Sequence, residues 1–396
     1  MDMLLCIAPL STYLPGVRMS FNFDERVERY HTDSEKWLKY RDRDILPLWI
    51  ADTDFRVAPA IQEALQQRVA HGVFGYADDQ GALARATAQW AASQYEWSID
   101  PDWVVPLSGI KPIFSLLQES LLSTDQASVC TTPIYPPFTH SARAAGREQR
   151  LLPIPLFKND NPLAMPLPAL MPQERLLFIC NPHNPGGKRY DRETLQRLAD
   201  YADTYDLWVC SDEVHADLQL DPHSRHIPFA SLSTRCEQRS ITLLSAAKAF
   251  NLAGLGCAVA IIPNDDLRAR LRRAIAQRLP VPNSLGVVAT LAAWQEGEAW
   301  LAAQRDYLRL NRDRLVAHIA TLPDLQVATP DAGFLAWIDA SRLKLTDPQR
   351  WFEHHGLGLT GGAPFGDPQA VRLNFGCPRS RLDLALTRLT SAIDSL

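Results

Sequence analysis

The chain has few of the features that mark disulfide-rich or metal-binding proteins. Its 396 residues include seven cysteines, an odd number, and no two of them have Cys-x-x-Cys spacing. Four lie at or near the ends of apolar runs, where a small buried thiol is the usual explanation. We interpret the cysteines as reduced and structural, which predicts a cytoplasmic protein, and we assign no metal site. The four are Cys130, Cys180, Cys210 and Cys257.

Long basic runs and long hydrophobic runs are also missing. The net charge is −5, and no cluster of Lys and Arg reaches the length of a targeting or membrane-surface tract. Neither nucleic acid nor a membrane is therefore predicted as a partner, and the expected ligand is a small molecule. The N-terminal segment MDMLLCIAPLSTYLPGVR has an apolar patch, but it lacks a basic start and is too short to span a bilayer. We expect residues 1–20 to be a disordered extension, with Met19 as a candidate true start.

The composition that remains is typical of a large soluble enzyme. A hydrophobic content of 46% and a charged content of 21% are ordinary for a globular protein, and the chain has no internal repeat or low-complexity tract. A chain of 396 residues is too long for one simple core. Two domains, or one large α/β domain with an appendage, are therefore expected.

Five apolar runs of strand length organise the middle of the chain. They are almost continuously hydrophobic, as strands buried on both faces of a parallel sheet are, and helical segments separate them. One such segment starts at the capping candidate Asp191 and completes a β-α-β unit. We predict an α/β fold with a mostly parallel, doubly wound sheet. The runs are residues 127–132, 175–180, 207–213, 240–245 and 257–263, and the apolar helical face comprises Leu195, Leu198, Ala199 and Ala202.

The C-terminal third changes character. From about Ser284 to Leu322 the pattern is that of long helix, with Gly297 as the expected break. Strand-like and amphipathic segments alternate after it, which predicts a smaller α+β domain. The expected division is an N-terminal segment over residues 21–59, a large domain over residues 60–290 and a small domain over residues 291–396.

Lys248 is the most informative residue of the chain. It is the lone lysine in the otherwise uncharged run SITLLSAAKAFNLAGLGCAVAIIP. Burial of an ammonium group costs several kcal/mol, so a lysine in this setting tends to lose its proton and to become a nucleophile for carbonyl compounds. The alternative is a lysine that extends its ammonium group to solvent from a loop between strands.

Polar residues follow three of the apolar runs. Asn184 follows the second run, Asp212 lies near the end of the third, and Ser245 ends the fourth, with Lys248 three residues later. Because ligands bind at the carboxyl ends of the strands in doubly wound sheets, an amide, a carboxylate and an amine are expected in one crevice. Pyridoxal phosphate requires this set: a buried carboxylate, for which Asp212 is the candidate, keeps its pyridine nitrogen protonated, and an amide donor such as Asn184 serves its phenolic oxygen.

The phosphate and the ring face of this cofactor also find candidates. Ser108-Gly109-Ile110 precedes a helix-like segment whose N-terminus suits a phosphate, and Ser245 adds a hydroxyl. Tyr135 lies just past a strand end, where its ring could stack on the cofactor. Each feature has an ordinary alternative, a turn, a cap, a loop or a core position. Four separate loops that meet one cofactor's requirements favour the functional interpretation.

These segments resemble a known family. NPHNPGG, SDEVHADL, SAAKAFNLAGL and RLNFGCPRS resemble the pyridoxal-phosphate aminotransferase class I/II family of fold type I, and specifically its cystathionine β-lyase (carbon–sulfur lyase) branch of the MalY/PatB type. The resemblance runs from about Phe21 and includes SEKW, LPLWIADTDF and HGVFGY. It implies a homodimer with shared active sites, in which Tyr76 reaches the phosphate of the neighbouring subunit.

The resemblance also implies a role for each site residue. Lys248 would form the Schiff base, Asp212 would pair with the pyridinium, and Arg372 would bind the substrate α-carboxylate, with Asn184 beside it. Tyr135 would stack on the ring as part of the catalytic set. The remaining cofactor contacts would come from Gly109, Ile110, Asn184, His215 and Ser245.

The implied reaction is α,β-elimination from cystathionine or a related L-cysteine S-conjugate, which yields pyruvate, ammonia and a thiol. Two alternatives stay open, an aminotransferase of small amino acids and a protein of this fold with an added regulatory binding role. A DNA-binding fusion is excluded because no helix-turn-helix domain precedes residue 60 and the chain is not basic. Two departures from the pattern occur: Leu255-Gly256-Cys257 stands where many aminotransferases carry a phosphate-binding arginine, and Lys111, to which no role is assigned, follows Ile110.

Overall fold

A computed structural model describes residues 21–157 and 167–396 of the chain, so the extension expected over residues 1–20 lies outside the described residues. The helices are α1 Glu35–Leu38, α2 Pro59–His71, α3 Ala82–Tyr95, α4 Lys111–Leu121, α5 Pro136–Ala144, α6 Arg192–Thr204, α7 Thr234–Arg239, α8 Asp265–Arg278, α9 Ser284–Glu296, α10 Glu298–Ile319, α11 Pro348–His354 and α12 Arg379–Ile393. The strands are β1 Leu46–Pro47, β2 Val104–Leu107, β3 Ala127–Thr132, β4 Glu148–Pro153, β5 Glu174–Cys180, β6 Trp208–Asp212, β7 Ser240–Leu244, β8 Ala258–Ile261, β9 Gln326–Ala328, β10 Leu335–Asp339, β11 Leu357–Gly358, β12 Thr360–Gly361 and β13 Ala370–Asn374.

A seven-stranded sheet in the order β2-β8-β7-β6-β5-β3-β4 forms the centre of the molecule. The five apolar runs are confirmed as β3, β5, β6, β7 and β8. Strands β3 to β7 run parallel to one another, whereas β8 runs antiparallel to both of its neighbours. A strand that is buried on both faces is hydrophobic throughout, whether it runs parallel or antiparallel to its neighbours. The hydrophobic pattern of the sequence therefore could not predict that β8 is antiparallel. The sheet is mostly parallel, and the α/β class is confirmed.

Both faces of this sheet are covered, as the continuous apolar runs require. Leu176 and Phe178 of β5 pack in a core with α4, α5 and α8, whereas Leu177 and Ile179 pack in a second core with α6. Successive side chains of a strand point to opposite faces, so each face needs its own layer of helices. The helix predicted after Asp191 is confirmed as α6: the Asp191 carboxylate accepts a hydrogen bond from the N–H of Thr194 at 2.8 Å.

A second sheet, entirely antiparallel in the order β12-β13-β10-β9, lies in the C-terminal third. The chain reaches it through α9 and α10, which are separated at Gly297 as expected. A Cβ atom at Gly297 would lie 2.5 Å from the Phe250 ring and 2.4 Å from the carbonyl oxygen of Ala293. A larger residue would therefore clash here, and glycine allows the Phe250 ring to pack closely against the helix junction. The strand-like and amphipathic segments predicted after Leu322 are present as β9, β10, β13, α11 and α12.

The N-terminal segment connects the two sheets. Strand β1 pairs in parallel with β11, and the N–H of Asn374 on β13 donates to the carbonyl of Leu48. Farther along, the side chain of Asn251, in the loop between β7 and β8, bonds the backbone of Thr53. The segment therefore contacts both parts of the molecule. The expected division into residues 21–59, 60–290 and 291–396 stays a prediction.

No helix in residues 21–157 and 167–396 combines the length and apolar composition needed to cross a bilayer.

Candidate active site

The carboxyl ends of β5, β6 and β7 meet at one edge of the central sheet. Cys180 lies opposite Asp212 on the neighbouring strand, and Asp212 lies opposite Leu243. Their parallel register brings the segments that follow these strands together, including Asn184 and Lys248. The structure therefore brings these predicted residues together at one edge of the sheet, around the space here called the crevice.

Arg372 joins the second sheet to this crevice. From β13, its Nη1 donates to Oδ1 of Asn184 at 2.9 Å and its Nη2 donates to the carbonyl of Trp49 at 3.1 Å. The guanidinium carbon lies 4.9 Å from the centroid of the Phe365 ring, a cation–π contact. Its buried Nε has no hydrogen-bond partner among the described residues. Burial lowers the pKa of Arg372 to about 10, so the group is still charged at neutral pH.

The ammonium group of Lys248 lies in the same crevice, where its Nζ donates to the carbonyl of Ala51 at 2.9 Å. Desolvation by burial lowers the pKa of Lys248 to about 8; the charge of Arg372 adds to the decrease, and Asp52 and Asp212 oppose it. A pKa near 8 leaves roughly a tenth of the lysine as free amine at pH 7, the form that a nucleophile or general base requires.

Asp212 is a buried carboxylate at the end of β6, with 3% of its surface exposed. Its Oδ1 accepts from the N–H of Val214 at 3.2 Å, and no basic side chain of residues 21–157 and 167–396 forms a salt bridge with it. Burial raises the pKa of Asp212 to about 7, against the opposing effects of the Val214 hydrogen bond and of Lys248. A carboxylate in this state is suited to pair with a protonated ring nitrogen.

Two aromatic residues line the crevice. Tyr135 immediately precedes α5, and burial raises its pKa, as does the negative charge of Asp212. His215 is buried against Phe334, with ring centroids 6.2 Å apart. Burial, together with the charges of Lys248 and Arg372, lowers the pKa of His215 to about 3. Its imidazole is therefore neutral at pH 7.

The residues expected to hold a phosphate lie before α4 and after β7. Gly109 adopts φ +139°, and a Cβ atom built there would meet no atom within 4 Å, so open space lies beside this loop. Ile110 is the N-cap residue of α4, and Lys111 is exposed on the first turn. The Ser245 hydroxyl donates to the carbonyl of Cys257 at 2.7 Å, so it must rotate before it can donate to a phosphate.

Tyr76 lies apart from this group within one chain. Its side chain is fully exposed, in the segment between α2 and α3, and it makes no hydrogen bond or ring contact with the described residues. Three further apolar side chains beside it are also exposed. They are Val69, Val73 and Phe74.

The sequence reasoning assigned no role to the segment that completes the crevice. The carbonyls of Trp49 and Ala51 accept the hydrogen bonds of Arg372 and Lys248, and Asn374 donates to the carbonyls on either side of Ala51, those of Ile50 and Asp52. Every residue has a backbone carbonyl, so the type of residue at a position does not indicate that its carbonyl accepts a hydrogen bond in the site. Besides the resemblance of LPLWIADTDF to the family, the available signal was the pair of acidic residues Asp52 and Asp54 in this mostly apolar run.

The fold and the site together define an α/β protein that gathers an amine, a carboxylate, an amide and a guanidinium at the strand ends of a mostly parallel sheet. A model of the aminotransferase class I and II family matches residues 43–389. The chain belongs to this family.

Individual relatives are similar over nearly the whole chain. Cystathionine beta-lyase PatB from Bacillus subtilis (strain 168) is 34% identical, over 94% of this chain and 100% of its own length. A crystal structure of OvoB is 48% identical with a TM-score of 0.92, over 95% of this chain and 100% of that one. A PLP-bound structure from Clostridium difficile 630, described as a candidate aminotransferase, is 31% identical with a TM-score of 0.88, over 94% of this chain and 100% of that one.

The proximity of two cations predicts a measurable coupling. In Arg372→Met, Lys248 loses a positive neighbour, so its ammonium form becomes more favourable and its pKa should rise by about one unit. Trace labelling of the cofactor-free protein with acetic anhydride across pH, followed by mass spectrometry of the Lys248 peptide, measures this pKa. The exposed Arg342, which donates to the carbonyl of Pro323, supplies the control Arg342→Met. An unchanged Lys248 titration in Arg372→Met would contradict the coupling.

Proposed function

We propose that the chain is a pyridoxal-phosphate-dependent carbon–sulfur lyase that catalyses α,β-elimination of cystathionine or a related L-cysteine S-conjugate. The observation that carries the proposal is Lys248, an amine of lowered pKa that donates to the carbonyl of Ala51 and is influenced by the charges of Asp212 and Arg372. The similarity to cystathionine beta-lyase PatB supports the reaction class.

The described residues fit the proposed cofactor. Asp212 has no cationic partner in a salt bridge among them and would pair with the ring nitrogen, and Tyr135 would cover the ring. The open space beside Gly109 at the N-terminus of α4 would admit the phosphate, where N–H groups and the helix dipole favour an anion. Asn184 would hold the phenolic oxygen and His215 would line the pocket. When bound, pyridoxal phosphate supplies an electron sink for the carbanion formed at the substrate Cα.

Substrate binding and proton transfer would be carried out by different side chains. Arg372 binds and orients the substrate carboxylate, for which its planar fork is suited, and its unpaired Nε is available for this contact. Lys248, as the free amine, accepts the proton from the substrate Cα. The Cβ–S bond breaks with departure of the thiolate, and hydrolysis of the remaining three-carbon fragment gives pyruvate and ammonia.

Lyase and aminotransferase activity differ in one readily measured product. An aminotransferase needs a 2-oxo acid as amino acceptor, whereas elimination releases pyruvate without one. We expect the purified protein to form pyruvate and free thiol in equal amounts from cystathionine in the absence of any oxo acid, and cystine, cysteine and alanine test the substrate range. Turnover that depends on an added oxo acid would favour the aminotransferase instead.

Loss of the amine should abolish both cofactor attachment and turnover, so we expect Lys248→Ala to be inactive. Borohydride reduction of the wild-type protein and peptide mapping should locate the pyridoxyl group on Lys248, one of seven lysines in the chain. A matched control is Lys188→Ala, since Lys188 is buried but is paired with Asp331 at 3.8 Å. A pyridoxyl group on Lys188, Lys111 or another lysine would overturn the assignment.

We further propose that two copies of the chain share their active sites and that the protein is cytoplasmic. The exposed apolar side chains around Tyr76 support a contact between subunits, since contiguous exposed apolar groups mark interaction surfaces. Tyr76 would then reach the phosphate bound by the neighbouring subunit. The six cysteines of the described residues are free and buried, which supports a reducing compartment.

Subunit exchange tests the shared site. An inactive Lys248→Ala protein mixed with an inactive Tyr76→Ala protein should regain activity, since each mixed dimer contains one intact site. Random exchange of equal amounts should restore roughly a quarter of wild-type activity.

The control mixture combines Lys248→Ala with Arg372→Met, two changes on the same side of the shared site, and should stay inactive. A fully active monomer on dilution, measured with light scattering, would contradict the proposal.

A further inference from the structure

The segment from Trp49 to Asp54, here called the strap, lies between the two cations of the site. Trp49 accepts a hydrogen bond from Arg372 through its carbonyl, and Ala51 accepts one from Lys248. A carbonyl oxygen stabilises an ammonium or guanidinium only while it stays within hydrogen-bond distance. The position of the strap therefore sets the surroundings of both cations.

Two asparagines hold the strap from opposite sides. Asn374 of β13 donates to the carbonyls of Ile50 and Asp52 at 2.7 and 2.6 Å. Asn251, three residues after Lys248, accepts from the N–H of Thr53 and donates to its carbonyl, both at 3.1 Å. The strap is consequently tied to the strand that carries Arg372 and to the loop that carries Lys248.

A buried ion cluster holds the far side of the strap. The carboxylate of Asp54 is fully buried and contacts Nζ of Lys36 at 3.2 Å, Nη1 of Arg29 at 2.9 Å and Nη1 of Arg381 at 2.7 Å. Although burial raises the pKa of Asp54, the charges of Lys36, Arg381 and Arg29 and a hydrogen bond from a tryptophan keep it below its ordinary value. Asp54 therefore stays ionised and anchors three cations beside the strap.

Asp52 is the residue of the strap that connects this cluster with Lys248. One carboxylate oxygen, Oδ2, contacts Nη2 of Arg29 at 3.1 Å. The other, Oδ1, is enclosed, lies 3.5 Å from Nζ of Lys36 and has no hydrogen-bond donor among the described residues. Asp52 directly follows Ala51, whose carbonyl receives the Lys248 ammonium. Asp52 thus borders the carbonyl on which Lys248 rests, and its carboxylate is held there by Arg29 and Lys36.

The charges that face Lys248 come from three parts of the chain. Arg372 on β13 repels its ammonium form, whereas Asp52 of the strap and Asp212 of β6 attract it. His215, which follows β6, is neutral at pH 7. In the proposed enzyme Asp212 is engaged by the ring nitrogen of the cofactor. Of the two anionic side chains that act on Lys248, Asp52 would then be the one left to offset Arg372.

We propose that Asp52 is a positioning residue for Lys248: its carboxylate, held by Arg29 and Lys36, keeps the released lysine docked on the carbonyl of Ala51 beside the substrate. The proposal rests on the function proposed above for Lys248 and adds a resting place for its amine. A lysine held in one position transfers protons to and from the same atoms in every cycle, since acid–base catalysis depends on geometry as well as on pKa.

Asp52→Asn removes the charge with little change in shape. In the full-length cofactor-free protein, trace labelling with acetic anhydride should show the Lys248 titration shifted to lower pH by about one unit, because an attractive anion is lost. In the holoenzyme the acid limb of the kcat profile should move to lower pH for the same reason. We expect kcat to fall about tenfold or more with a smaller change in KM, since the docked position of the base is lost.

Three variants separate positioning from general stability. Asp52→Glu retains the charge and should keep the Lys248 titration near the wild-type value, and the smaller neutral Asp52→Ser should reproduce the shift if Asp52→Asn does not fold. Arg305→Met removes a partly buried cation that donates to the carbonyl of Asp217, away from the strap, and should leave the titration unmoved.

An unchanged Lys248 titration in folded Asp52→Asn or Asp52→Ser would overturn the positioning role. A shift of equal size in Arg305→Met would overturn it as well, because the effect would then reflect general destabilisation. Failure of the proposed function is distinguishable, since it would appear as pyridoxyl label on another lysine or as oxo-acid-dependent turnover. The acetic anhydride labelling of the cofactor-free protein depends neither on the site of pyridoxyl attachment nor on which reaction the holoenzyme catalyses.

Discussion

Two cations, the ammonium of Lys248 and the guanidinium of Arg372, share one desolvated crevice, and the surrounding structure offsets the cost of holding them there. Desolvation of each charge costs several kcal/mol in an environment of low dielectric constant. The structure compensates with oriented carbonyls from Trp49 and Ala51 and with the negative charge of Asp52. This compensation is incomplete: desolvation and the charge of Arg372 outweigh the attraction of Asp52 and Asp212, and the pKa of Lys248 falls to about 8. The same desolvation that disfavours the folded state therefore produces a reactive amine.

The architecture brings these groups together from distant parts of the chain. The parallel strands β5, β6 and β7 end at one edge of the sheet and deliver Asn184, Asp212 and Lys248. Arg372 comes from the antiparallel sheet and reaches Asn184 across the crevice, and the strap closes the remaining side. Because the site is built from both sheets and the N-terminal segment, a relative movement of any of them would change the electrostatics of Lys248.

Much of this arrangement was predictable where a local pattern carries the information. Apolar runs identified five strands, because strands buried on both faces must be hydrophobic throughout, and Asp191 marked the start of α6. Polar residues after those runs identified the crevice. The edge strands β2 and β4 were missed, since a partly exposed strand such as β4 has no continuous apolar run, and the direction of β8 was not encoded in its composition. Tyr76 stays a prediction, because its expected partner is another chain.

By itself, the sequence determined the fold class and the positions of Asn184, Asp212 and Lys248 at or after the ends of neighbouring strands. These follow from hydrophobic periodicity and from the chemistry of single residues. Only the tertiary structure decided the contacts of the strap with Arg372 and Lys248, the lowered pKa of Lys248 and the hydrogen bond from the Ser245 hydroxyl to the carbonyl of Cys257. Backbone carbonyls are identical in every residue, and a pKa depends on neighbours that are remote in sequence, so neither can be read before the chain is folded.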